Sequence, residues 1–375
     1  MKNIIVPASM LAGTIIGAGV FSLPFVFVNT GLLTSFFYLA VFSSVFICIY
    51  FLYADVIVRT SEEHRFVGYS RLYLGKSGFW ASLFIGLFQL FFVLAIYLIL
   101  APSFFELIFY DNTILYLIIF WLMGSVAIIF NIKRVAILEF LMTFGILAVM
   151  AFILAFGIAG FVNSPIEWGN IDVSKFLAVG PILFALSGTL AVPELISYFR
   201  ESNIPISFVK KSLTVGAIIP AVAYGAFVVG ILGLSKFVSE DAVSGLVGGV
   251  PAYFLVLIGI LGFLSLISSY IIIGVNAKKI LQYDLYLPKW LSAMLVIFVP
   301  IALYFLGFRD FIKSVSFVGS VFLPLESIFI IFMWINANKK SANPSIFVGR
   351  FLKMAIPVLL LVFFISLIYA IIPHS

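Results

Sequence analysis

The residues best suited to hold a small ligand lie in a glycine-rich stretch of the first apolar segment, residues 12–24. Gly13, Gly17 and Gly19 weaken a helix in the middle of an otherwise uniform apolar run. An interrupted helix exposes backbone N–H and C=O groups, which inside a membrane must face protein, a cavity or a ligand. The stretch therefore predicts a binding site made of main-chain atoms.

The two sides of this predicted break favour opposite charges. We expect the first half-helix to end near Ile16 and the second to begin near Val20. The N–H groups at the start of the second half favour a carboxylate, and the carbonyls at the end of the first suit an ammonium group or a cation. The alternative is that Gly13 and Gly17 form a small-residue contact between helices. The predicted ligand-binding residues here are Ile15, Ile16, Gly17, Ala18, Gly19 and Val20.

A second apolar segment is interrupted at residues 184–194 by a polar centre and a proline. Pro193 is expected to begin the second half-helix, since proline is tolerated in a first turn. Glu194 follows at once, where it would either carry a proton or shape the break; the alternative is a structural acid paired with a basic residue. The predicted ligand-binding residues here are Phe184, Ala185, Ser187, Gly188 and Thr189.

Three serines in a later segment, Ser265, Ser268 and Ser269, have the i, i+3, i+4 spacing that places them on one helix face. Their hydroxyls could help to bind Na⁺ or could bond back to their own helix. Gln89 lies near the middle of another segment, where it could line a substrate path or join helices. Glu326 is a deeply placed acid with no basic partner in its own segment, which makes it a second candidate for proton handling.

The composition requires lipid around most of the chain. Of its 375 residues 64% are hydrophobic and 10% charged, with a mean hydropathy of +1.27. A soluble chain carries roughly 25% charged residues, so this is a polytopic membrane protein. Spanning helices need about 20 apolar residues. We number the eleven predicted spans 1 to 11 in chain order: 4–28, 31–58, 79–101, 113–130, 135–161, 175–199, 207–233, 251–277, 288–307, 312–337 and 350–372.

The basic residues predict the orientation. With the N-terminus in the cytoplasm and the C-terminus outside, all but four of the 21 basic residues fall in cytoplasmic segments, the four being Lys175, Lys236, Arg309 and Lys313. A wrong span count would scramble this asymmetry. The net charge of +6 therefore reports topology, and no nucleic-acid partner is expected.

Eleven spans divide into five, five and one. Residues 1–161 and 175–337 would be two five-helix units of opposite topology, and 350–372 an additional helix. Interrupted spans at the first position of each unit are the sequence signal for a transporter's substrate site.

The stretch from Gly13 to Pro24 resembles the first-span signature of the amino acid/auxin permeases and the bacterial tryptophan/tyrosine permeases, and Ala191–Leu195 is similar to their span 6. The resemblance implies an all-α membrane fold of the LeuT type, a five-plus-five inverted repeat with eleven helices, and secondary active amino acid uptake by alternating access. It also implies that Gly13, Ile16, Ser265, Ser268 and Ser269 occupy the position of a sodium site.

We therefore predict an amino acid symporter of the plasma membrane, coupled to Na⁺ or H⁺, with no cofactor besides a possible Na⁺. A membrane receptor that binds amino acids without transporting them is the alternative from another class. A metal transporter of the same fold would carry Asp-Pro-Gly in span 1 and Met-Pro-His in span 6, which this chain lacks. No cluster of a nucleophile, base or metal ligands predicts an enzyme. The oligomeric state and the particular amino acid stay open.

Overall fold

A computed structural model describes residues 2–109, 112–130, 135–163, 168–340 and 345–371. Over these residues the chain is helical, with connecting turns and no strand. Nine described helices are long and apolar enough to cross a membrane, and ten if the bent pair in span 1 is one span. The remaining predicted span is the shorter apolar helix Lys289–Phe305, so the count of eleven is approximate.

The helices follow the predicted spans closely, because apolar runs of this length satisfy their own backbone in lipid only as helices. Spans 2, 3, 4, 5, 7, 8, 9 and 11 are each one continuous helix, and spans 1, 6 and 10 are each built from several pieces. The continuous helices are Leu32–Val58, Phe66–Glu106, Thr113–Phe130, Val135–Val162, Ser207–Leu234, Ala252–Tyr283, Lys289–Phe305 and Arg350–Ile371. The pieces are Lys2–Ile15 and Leu23–Thr30 in span 1, Val179–Leu186 and Ala191–Glu201 in span 6, and Phe311–Phe317 and Leu323–Lys340 in span 10.

The connection before span 3 differs from the prediction. Residues 59–78 were expected to form a loop, yet a helix begins at Phe66 and runs into span 3 through a kink at Gly75. Gly75 has φ +76° and ψ −161°, a conformation that glycine adopts without steric cost. The kink lets a short helix lie against the end of the bundle before span 3 crosses it.

Spans 3, 6 and 10 form the centre of the molecule. In each of them 67% of the apolar window is buried inside the protein, whereas in spans 5 and 11 the share is 28%. Span 10 also contains a π-helical turn at Val318–Phe322, which packs against the first half of span 6. The two glycines Gly180 and Gly319 make that approach possible, because a side chain on either would meet the other helix's backbone. Irregular backbone is thus concentrated where the central spans meet.

Candidate functional site

Span 1 is broken at Gly17. The last helical bond of its first half runs from the Ile16 N–H to the Ala12 carbonyl at 2.9 Å, and Gly17 is extended. A 3₁₀ turn, Ala18–Ser22, then leads into the second half, and the two halves meet at 52°. Helical structure thus resumes at Ala18, two residues before the predicted Val20, and the α-helix itself begins at Leu23. The tighter 3₁₀ turn lets the chain resume helical bonding immediately after the glycine.

Span 6 is interrupted after Leu186, where Ser187 is extended. The N–H groups of Ala191 and Val192 bond to the carbonyls of Gly188 and Thr189, and the second half starts at Ala191. The expected start at Pro193 was therefore wrong by two residues. The proline is the third residue of the half-helix, in a first turn where its missing N–H leaves no bond unmade.

The two breaks pack against each other, and this is why their glycines are needed. A Cβ on Gly19 would lie 2.6 Å from the Ala185 Cα, and one on Gly188 would lie 2.5 Å from Ile15. The contact at Gly19 is with backbone and is shorter than real Cβ atoms show, so this position requires glycine. At Gly188 the contact is with a side chain, so any larger residue there would displace Ile15. Gly17 allows the Tyr97 side chain of span 3 to approach closely, since a Cβ there would lie 2.6 Å from the Tyr97 hydroxyl oxygen.

Three tyrosines from other spans satisfy part of the loosened backbone, and sequence reasoning missed all of them. The Tyr224 hydroxyl lies 2.7 Å from the Ile15 carbonyl oxygen and 2.9 Å from that of Ala185. Tyr50 donates to the Leu186 carbonyl at 2.7 Å, and the Ala18 N–H donates to the Tyr97 hydroxyl at 3.4 Å. The only available signal was a tyrosine near the middle of an apolar span, where a hydroxyl needs a partner.

A cavity of about 440 Å³ lies beside the breaks. This volume falls within the roughly 300–1,000 Å³ of small-molecule sites. Spans 1, 3, 6, 8 and 10 all contribute to its wall. The predicted site residues that line it are Gly13, Ile15, Gly17, Ala18, Gly19, Gln89, Phe184, Ser187, Gly188, Thr189, Glu194 and Ser269.

Five predicted site residues do not line this cavity. Ile16, Val20 and Ala185 are buried at 3%, 0% and 1% exposure behind its wall. Ser265 and Ser268 are also buried, and only Ser269 of the three serines reaches the cavity. The physical reason is that the face of a helix is wide. Ser269 can therefore face the cavity while Ser265 and Ser268 face neighbouring helices. The structure brings together Gly13 and Ser269 of the predicted sodium ligands around one space.

Ser268 also bears on the alternative that these serines bond back to their own helix. Its hydroxyl oxygen is buried and has no hydrogen-bond partner among the described residues. Back-bonding at this position is therefore absent in this conformation, and the hydroxyl is available to another group.

Glu194 lies in the first turn of the second half of span 6, as predicted. Its carboxylate pairs with Arg65 at 2.8 Å and its side chain is 54% exposed. Arg65 also donates to the Asn276 side-chain oxygen at 3.0 Å, so one guanidinium joins spans 6 and 8. This geometry is the paired structural acid that the sequence left open as an alternative.

Glu326, the second candidate for proton handling in the sequence, bonds directly to the break of span 6. It is 5% exposed and accepts hydrogen bonds from the Thr189 hydroxyl at 2.7 Å and from Gln89 Nε2 at 3.0 Å. Both donors line the cavity. Gln89 thus joins helices and lines the cavity at once, which are the two roles that its position in span 3 suggested.

The cavity leads toward one side of the molecule. Glu194 and Lys279 belong to its wall and also to that of a second, more polar cavity of about 490 Å³ on the predicted cytoplasmic side. On the opposite side of the break Phe21 packs edge-on against Phe104 and Phe227, with ring centroids 4.9 and 5.8 Å apart. These three rings are buried and none belongs to the cavity wall, so they fill protein interior on that side of the break.

A family model described as transmembrane amino acid transporter protein matches residues 7–240, more than half of the chain. The chain belongs to this family. None of the curated proteins matches it. The match covers both broken spans, so family membership rests on the segments that build the cavity.

Solved structures with the same fold include three transporters. MhsT in complex with L-phenylalanine has a TM-score of 0.69 at 17% identity, covering 97% of both chains. Mhp1, a nucleobase-cation-symport-1 family transporter, has a TM-score of 0.64 at 13% identity, covering 97% of this chain and 89% of its own. A manganese transporter of Eremococcus coleocola has 0.64 at 14%, covering 97% and 86%. Together they show that this transporter has the LeuT-type fold.

Proposed function

We propose that this protein is a secondary active transporter that carries amino acids across the plasma membrane by cation-coupled symport. The observation that carries the proposal is the cavity of about 440 Å³ whose wall contains both helix breaks. Family membership supports an amino acid as the substrate. Paired interrupted spans of this kind hold the substrate in secondary transporters.

The substrate carboxylate would bind at the start of the second half of span 1, where Ala18 and Gly19 line the cavity beside the Tyr97 hydroxyl. The positive end of the half-helix favours an anion there. The ammonium group would bind the carbonyls of Ile15 and Ser187, both in the cavity wall. Tyr224 occupies one lone pair of the Ile15 carbonyl, and a carbonyl oxygen has a second.

The conformation supports alternating access with the cytoplasmic side open. The cavity extends to Glu194 and Lys279 on the predicted cytoplasmic side, and the buried rings of Phe21, Phe104 and Phe227 pack together on the other. We propose that spans 1, 2, 6 and 7 move against the remaining spans to exchange these two arrangements. This assignment places the N-terminus in the cytoplasm and the C-terminus outside.

Two coupling ions are compatible with the proposal. Na⁺ would use carbonyls of Gly13 and Ile16 with the span 8 serines, since hard cations take oxygen ligands. H⁺ would need an acid at membrane depth. Imposing a sodium gradient and a pH gradient separately on reconstituted vesicles distinguishes the two.

The test is uptake of a mixture of radiolabelled standard L-amino acids into proteoliposomes. Gly17→Ala should lower uptake about tenfold, equivalent to ~1.4 kcal/mol, because the new methyl group displaces the Tyr97 hydroxyl beside the substrate. Gly145→Ala in span 5 is the matched control, since a Cβ there meets only the Leu261 side chain at 3.6 Å. Thermal unfolding of both variants separates loss of fold from loss of transport.

Equal uptake by wild type and Gly17→Ala would argue against a substrate site at the break. Saturable binding of amino acids without accumulation would instead support the receptor function. A thermal-shift screen of individual amino acids then identifies the substrate.

A further inference from the structure

The carboxylate of Glu326 is enclosed at the centre of the molecule. Glu326 is 5% exposed. Its two carboxylate oxygens accept one hydrogen bond each, from Thr189 in the break of span 6 and from Gln89 in span 3. The donors come from spans that move relative to each other in the proposed transport cycle. The carboxylate therefore joins the moving and the stationary parts through two short polar contacts.

No basic group neutralises this carboxylate in the described part of the chain. Arg65 and Glu326 both line a further, smaller cavity, but the Arg65 guanidinium is hydrogen-bonded to Glu194 and Asn276. The titratable groups of span 2 that face Glu326 are the buried phenols of Tyr50 and Tyr53. Span 11 carries its basic residues only at its start. Span 10 has Lys313 near its start, and its second helix ends with Lys339 and Lys340.

An uncompensated buried carboxylate is costly, by several kcal/mol per ion, and protonation removes that cost. Hydrogen bonds to the ionised form oppose protonation. Because the two effects act against each other at this position, small movements of either donor change which form is favoured. Such a balance is what a coupling site requires, since the proton must bind in one conformation and leave in the other.

Gln89 provides the means to accommodate both forms. Its Nε2 donates to Glu326 in this structure, while its Oε1 is buried and has no hydrogen-bond partner among the described residues. A half-turn of the amide would bring Oε1 to the carboxyl group, where it accepts the proton of the neutral acid. The Thr189 hydroxyl can likewise donate or accept.

We propose that Glu326 is the proton-binding residue of this transporter. Gln89 and Thr189 both line the substrate cavity, and their hydrogen bonds to Glu326 change when it gains or loses the proton. The step adds one proton to a carboxylate oxygen from the outer side and returns it to the cytoplasm, with no other bond changed. This inference rests on the proposed transport function. It selects H⁺ over Na⁺ as the coupling ion.

The experiment compares wild type, Glu326→Gln and Glu201→Gln in proteoliposomes, using the radiolabelled amino acid mixture as the probe. Glu201 is an exposed acid at the end of span 6, so the same chemical change there is the control. Wild type and the control should accumulate label about tenfold per pH unit of inward gradient, the ratio expected for one proton per substrate. Glu326→Gln should show no gradient-driven accumulation while still exchanging internal for external label.

A second variant distinguishes an effect on proton binding from a loss of folded protein. Gln89→Met removes the donor to the ionised form, so the pH of half-maximal uptake should rise. A purely structural hydrogen bond would lower the yield of folded protein and leave that pH unchanged.

Full pH-driven accumulation by Glu326→Gln, or wild-type uptake driven by a sodium gradient alone, would overturn the proton assignment and leave the transport function standing. Absence of both uptake and exchange in folded wild type would instead overturn the transport function itself.

Discussion

At the residue scale the site depends on hydroxyl groups that reach loosened backbone from distant spans. Tyr224 contacts carbonyls on both breaks, Ile15 in span 1 and Ala185 in span 6. A single hydroxyl hydrogen shared between two carbonyls holds the breaks side by side without closing either into a helix. The tyrosine therefore stabilises an arrangement that an uninterrupted helix would not need.

Tyr224→Phe is expected to destabilise the protein, because the Ile15 and Ala185 carbonyls lose a buried donor. The cost of leaving a buried polar group unpaired is about 1–3 kcal/mol. Thermal unfolding in detergent should show a lower midpoint, and amino acid uptake should fall with it. Tyr270→Phe is the matched control, since the Tyr270 hydroxyl is buried without a hydrogen-bond partner among the described residues. Equal midpoints for the two variants would contradict this role for Tyr224.

At the element scale the spans approach closely wherever glycines face each other. Spans 5 and 7 make the most extensive helix contact in the described structure, through Gly157 and Gly160 on one helix and Gly230 and Gly233 on the other. Small residues let membrane helices pack backbone to backbone, which gains dispersion energy that lipid cannot replace. Span 7 also carries Tyr224, so this packing sets where the hydroxyl lies.

Gly230→Ala should force spans 5 and 7 apart, because the new Cβ would lie 2.7 Å from the backbone of Ile153. Overpacking of this kind costs about 1–3 kcal/mol. Gly225→Ala on the same helix is the control, since its Cβ meets only the Phe36 ring at 3.4 Å. Thermal unfolding should separate the two variants, and a Gly230→Ala protein as stable as Gly225→Ala would refute the tight contact.

At the scale of the whole molecule the two sides of the breaks differ. On the predicted cytoplasmic side the substrate cavity shares Glu194 and Lys279 with the polar cavity of about 490 Å³, and on the other side the rings of Phe21, Phe104 and Phe227 pack together. In an alternating-access transporter such asymmetry defines one end state, and substrate binding shifts the population between states.

Cysteine labelling tests both the orientation and this state. The single native Cys48 is replaced by alanine, and Ser269→Cys or Ser174→Cys is introduced. Ser269 lines the cavity, and Ser174 is exposed in the predicted outer loop before span 6. A membrane-impermeant maleimide should label Ser269→Cys faster in inside-out vesicles and Ser174→Cys faster in intact cells. The reverse pattern would show that the orientation is inverted.

The sequence by itself determined the membrane class, the approximate spans and the places where two of them break. These properties depend on local composition: apolar length decides what crosses lipid, and glycine, serine and proline decide where a helix weakens. The breaks at Gly17 and after Leu186 accordingly lie within two residues of their predicted positions.

Only the tertiary structure decided what surrounds those breaks. Tyr224 bonds to a residue 209 positions away, and Glu326 bonds to Thr189 across 137 positions. Such pairs depend on how helices cross and on which glycines let them approach, and neither quantity is a property of a local stretch of sequence. For the same reason the serines of span 8, correctly placed on one helix, divide between the cavity and the protein interior once neighbouring helices pack around them.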